Sequence, residues 1–144
     1  MLCDYAAVSE GKLYISGGGW SVTGPQPTPS ALALLLHVPW DLANTRIVFE
    51  LRLLHEDGQP VMQPGPLGPA PIELAGELEV GRPPGVKRGT PLPVPVAINF
   101  PAFPLAPGAR YSWELSLNGK RQPEWHLAFD TRPAPGAGEA IAGG

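Results

Sequence analysis

The stretch RYSWELSLNGKRQPEWHLAFDT, residues 110–131, limits what this chain can fold into more than any other part of it. Tyr111, Trp113, Leu115 and Leu117 alternate with Arg110, Ser112, Glu114 and Ser116. Beyond Asn118-Gly119, Trp125, Leu127 and Phe129 alternate with Glu124, His126 and Asp130. A period of two gathers the apolar side chains on one face of an extended strand, whereas a helix would scatter them around its axis. With Asn-Gly seeding the turn, the segment predicts a β-hairpin with a long loop.

The same period recurs upstream. Ile47, Phe49, Leu51 and Leu53 share a face in RIVFELRLLHED, and Asp57-Gly58 supplies the turn that follows. In IELAGELEV the apolar set is Ile72, Leu74, Leu78 and Val80, with Glu73, Glu77 and Glu79 opposite; Gly76 marks a bulge or a close backbone crossing. VPVAINF adds Val94, Val96, Ile98 and Phe100, and its Pro95 predicts an edge strand, because proline cannot donate to a ladder. CDYAAV and GKLYIS precede ALALLLHV, whose nearly continuous apolarity predicts a strand covered on both sides. The 20 prolines and 18 glycines fall mostly between these runs, as turns do in an all-β domain. The expectation is an all-β fold, an antiparallel β-sandwich of about eight strands of immunoglobulin-like or Greek-key type, as one domain over residues 1–131. Residues 132–144, where Ala, Gly and Pro take over, are expected to be a disordered tail. LAPGARYSW has the layout of a tyrosine corner, in which the Tyr111 phenol bonds a backbone group a few residues upstream.

A net charge of −3 with singly scattered basic residues offers no footprint for nucleic acid. No run of 18 apolar residues is present for a transmembrane helix, and MLCDYAAVSEGK lacks the basic and apolar regions of a signal peptide. The single cysteine, Cys3, excludes an internal disulfide. These features point to the cytoplasm, with no membrane contact.

Three stretches carry a resemblance: DYAAVSEGKLYISGGGWSVTGP (Asp4 to Pro25), EVGRPPGVKRGTPLPVPVAINFP (Glu79 to Pro101) and LAPGARYSWELSLNG (Leu105 to Gly119). Together they resemble a family of short bacterial proteins, mainly actinobacterial, known only as a domain of unknown function. The resemblance implies a compact β-rich domain and brings no catalytic residues with it.

No residue pattern announces chemistry. GGGW at 17–20 lacks the Gly-Lys-Ser/Thr and the following helix of a phosphate cradle. His37, His55 and His126 lack metal-ligand spacing, Glu73, Glu77 and Glu79 share one solvated face, Cys3 has no partner to activate it, and no serine sits in a nucleophile elbow. The expectation is therefore a non-catalytic module without cofactor or metal, binding a protein partner or a copy of itself. Leu35, Val48 and Leu54, on nominally outward faces, are its candidate apolar patch. The alternative is a small-ligand, carbohydrate-like module using Trp20 and Trp40 as a platform at the strand ends. Trp20 either folds back as a lid or projects as an anchor.

Overall fold

Asn118 and Gly119 both take positive φ, 49° and 77°, the pairing that lets two residues reverse a twisted strand pair. In the computed structural model, which describes residues 1–136, this turn joins the last two strands directly. In chain order the strands are β1 (Leu2–Cys3), β2 (Tyr5–Ser9), β3 (Lys12–Ser16), β4 (Val22–Thr23), β5 (Ser30–Val38) and β6 (Ile47–His55). Then follow β7 (Met62–Gln63), β8 (Ala70–Pro71), β9 (Glu73–Leu78), β10 (Leu92–Phe100), β11 (Arg110–Leu117) and β12 (Lys120–Thr131). Eight of the twelve have five residues or more, four have two, and Trp40–Leu42 forms a 3-10 turn.

The all-β expectation holds, with several sheets. A five-stranded sheet runs β4-β12-β11-β6-β9 and a three-stranded sheet β1-β5-β10, beside the pairs β2-β3 and β7-β8. Pairing is antiparallel except where β4 runs parallel to the end of β12, Val22 beside Asp130 and Thr23 beside Thr131. The long loop expected in the last hairpin is replaced by the two-residue turn. The surplus residues sit in a bulge, where Gln122 to Trp125 on β12 face Leu115 alone on β11. Pro123, which has no N–H for the ladder, lies in that bulge.

The main core draws on both large sheets: Leu2 and Leu32 from one, and Leu51, Leu53, Tyr111, Trp113, Leu115 and Phe129 from the other. Pro95 does sit on an edge strand, since β10 pairs only with β5. Gly76 answers to a side chain and not to a crossing backbone: its cross-strand neighbour is Phe49, whose ring would stand 2.6 Å from a Cβ placed there. The double coverage expected of β5 is found at one end. Ala31 and Ala33 are buried with Cys3 and Ala6 under the β2-β3 hairpin, and their small side chains allow that close approach. Two positions further, Leu35 is 55% exposed.

The corner at Tyr111 is formed. The buried phenol oxygen accepts the Ala106 N–H at 2.8 Å, and the Thr131 hydroxyl donates to the Ala106 carbonyl at 2.6 Å while accepting the Ala109 N–H at 3.0 Å. Arg132 stays tied to the body, donating its N–H to Thr23 O and accepting from Gly108. From residue 137 onward the expected tail lies outside the described residues.

Candidate functional site

Successive residues of a strand turn their backbone N–H and C=O to opposite sides. Ala33 exchanges hydrogen bonds with Met1, donating at 2.9 Å and accepting from the terminal ammonium at 2.8 Å, so the odd-numbered residues of β5 face β1. β1 pairs only with Ala31 and Leu32, however, and leaves Leu35 and His37 beyond it. Their backbone groups point to an edge that no strand occupies among the described residues. β10 gives the same answer independently, because Pro93 and Pro95, which lack N–H, stand opposite His37 and Leu35.

A second edge left bare among the described residues lies on the other sheet. Asp130 donates its N–H to Ser21 O at 2.8 Å on the β4 side, so His126 and Ala128 turn the same way. β4 pairs only with Asp130 and Thr131 and does not reach them.

Between the two edges the sheets part around an apolar cleft of about 700 Å³. Leu34 and Leu36 of β5 form one wall, and Leu51, Trp113, Trp125 and Leu127 the other; His37, Lys120 and Glu124 lie at the rim. Leu34, Leu36, Trp125 and Leu127 belong to inward-facing apolar sets yet remain half-buried. That combination of pattern and exposure is the mark of a core that is open along one side. Its volume and lining fall in the range of ligand sites.

The sequence-predicted residues distribute differently. Leu35 lies on the open β5 edge and lines the cleft. Val48 is 37% exposed on the far face of the five-stranded sheet, away from Leu35. Leu54 corrects the expectation of an exposed position: it is 6% exposed, at the point where the chain returns after Asp57-Gly58 and Pro60 bridges to it. The three therefore form no common patch. Trp20 folds back, its ring meeting Phe129 edge-on at 5.9 Å and 89°. Its Nε1 is buried without a hydrogen-bond partner among the described residues. Trp40 belongs to the 3-10 turn, with the Arg82 guanidinium 4.5 Å over its ring and donating to its carbonyl. Trp20 lines the same small cavity as Ser30, where β5 starts, and Trp40 follows Val38, where it ends. Nine extended residues at about 3.3 Å each put roughly 30 Å between them, so they make no shared platform. Sequence reasoning missed the cleft itself, and Lys120, Glu124 and Trp125 with it; the proline-bearing bulge at 122–125 was its one available signal.

The polar face of β11 carries the main charge cluster. Glu114 is 8% exposed and accepts from Arg52, with Arg121 Nε at 3.3 Å and His126 Nε2 at 3.4 Å. Burial pushes its carboxyl pKa up, but the Arg52 hydrogen bond and the charges of Arg52, Arg121 and His126 outweigh burial and hold it below the ordinary value. A carboxylate depressed in the folded state stabilises above its unfolded pKa, and that stability is lost as pH falls through the folded one. The urea midpoint should therefore drop as pH is lowered from about 5 toward 3, and Glu114→Gln should flatten that drop. An unchanged pH profile in Glu114→Gln would remove Glu114 as its source. Cys3 is fully buried, and its burial raises the thiol pKa. The histidines occupy separate surroundings: His37 at the cleft rim, His55 against the Tyr111 ring at 5.5 Å, and His126 beside Glu114.

Among the described residues no helix is long and apolar enough to cross a membrane. Comparison with curated proteins and with solved structures returned no match. A family of unknown function (DUF6941) matches residues 1–130 of the 144, and the chain belongs to that family.

Proposed function

We propose that this chain is a non-catalytic, cytoplasmic protein-binding module, an immunoglobulin-like sandwich open along one side, that receives an extended segment of a partner in the cleft. The observation that carries this reading is the bare β5 edge at Leu35 and His37 bordering apolar walls. Backbone groups along such an edge give an entering strand its hydrogen bonds, and alternate side chains of that strand fill the groove behind it. The Tyr111 corner supports the immunoglobulin-like plan.

A synthetic peptide of alternating leucine and threonine, with a terminal lysine for solubility, tests the reading. Titration into the protein should shift tryptophan emission to the blue as Trp125 loses its contact with water, and Leu34→Glu should abolish the shift. Failure of the peptide to bind, with binding of a compact apolar dye that Leu34→Glu abolishes, would replace strand addition by a small-molecule site.

A further inference from the structure

Several exposed strand edges among the described residues are guarded. β10 carries Pro93 and Pro95, β9 carries Glu73 and Glu77, and β12 carries Lys120, Arg121, Pro123 and Glu124 between its turn and its bare residues His126 and Ala128. Prolines and charges of this kind keep edges from pairing. The bare part of β5, Leu34–Val38, reads LLLHV, without proline, carboxylate, lysine or arginine. An unguarded apolar edge is retained where something pairs with it.

We infer that β5 of a second copy pairs with it, antiparallel and about a twofold axis at Leu36. This rests on the strand-acceptor reading and names the partner. The register follows from the edge itself. Among the described residues Met1 stands beside Ala33 and Pro39 ends the strand, and Leu34 to Val38 is the span without a neighbour on that side. A twofold at Leu36 sets Leu34 opposite Val38 of the other copy and uses that span completely. Leu35 and His37, whose N–H and C=O point outward, then stand opposite each other and exchange hydrogen bonds in both halves of the pair. Registers centred on Leu35 or His37 run one strand into Met1 or Pro39. Opposed residues share a face, so Leu36 of each copy joins the inner, cleft-lining side, and the exposed Leu35 packs against His37 of the other. Each cleft rim also brings one cation, Lys120, and one anion, Glu124, so the approaching rims are balanced in charge.

Sedimentation equilibrium of the full chain should show a concentration-dependent dimer. Leu35→Pro, which removes an outward donor while sparing the β10 ladder, and Leu35→Lys, a guarding charge at an already exposed site, should each weaken it about tenfold or more. Leu67→Lys, at a fully exposed position elsewhere, should leave it unchanged. The centre of the register is read by cross-linking. Opposed residues without mutual hydrogen bonds approach to about 4.5 Å between Cα atoms, within disulfide reach. Under oxidised glutathione, Leu36→Cys should form a covalent dimer, and Leu34→Cys and the wild-type chain should not. A dimer indifferent to both Leu35 variants, or a wild-type chain that stays monomeric at every concentration, overturns the inference. If the monomer still binds the leucine-threonine peptide, only the partner is wrong; if it binds no peptide either, strand acceptance falls with it.

Discussion

Trp113→Ala is expected to destabilise the fold by about 3–5 kcal/mol, the usual cost of deleting a large buried aromatic. The indole is 3% exposed, stacks on Phe100 at 4.6 Å with 14° between the planes, and meets Phe103 at 6.1 Å. Phe100 is on the three-stranded sheet and Trp113 on the five-stranded one, so this stack fastens the two layers together. Trp113 also lines both the large cleft and the small cavity of about 20 Å³ under Trp20. Its removal joins the two spaces and leaves a void that stiff strands cannot collapse. Urea unfolding followed by far-ultraviolet circular dichroism measures the loss, and a cost below about 1 kcal/mol would show that the layers are held elsewhere.

Tyr111→Phe should cost about 1–3 kcal/mol, because the ring stays in place while the Ala106 N–H loses the acceptor it has among the described residues. Thr131→Val removes a second side-chain tie to the same loop, the hydroxyl shared between Ala106 O and Ala109 N–H, and leaves the backbone bonds of Ala109 and Gly108 to Thr131 and Arg132. With either tie gone the 105–109 segment loosens and the second contributes less. The double variant should therefore lose less than the two single losses together, a coupling read from a thermodynamic cycle. Strict additivity would mean that the two bonds act on separate structures.

What could be read in advance was what alternation and turn chemistry decide locally. The faces of β11 and β12, the edge status implied by Pro95 and the Tyr111 corner all depend on residues within a few positions of one another. Leu54 was misplaced because its burial comes from the chain returning at Pro60, and a period of two is blind to what lies over a face. Glu114 sits on a polar face and is nevertheless buried, since Arg52, Arg121 and His126 converge on it from other strands or other turns of the pattern. The cleft escaped for a further reason. It arises because β1 and β4 are two residues long beside β5 and β12 of nine and twelve, and strand lengths across a sheet are not encoded in any one window. Trp20 and Trp40 looked equivalent, each beside Gly or Pro at a strand end, and β5 separates them.

Amide hydrogen exchange at Leu35 and His37 tests the central claim, that this edge takes up a strand, most directly. In dilute protein alone both amides should exchange as fast as solvent-exposed groups, while Leu34 and Leu36, which face β10, stay protected. Addition of the leucine-threonine peptide should slow Leu35 and His37 strongly and leave Leu34 and Leu36 as they were. Protection of Leu35 and His37 in the dilute protein alone, or no change in them when the peptide is bound, would contradict the claim.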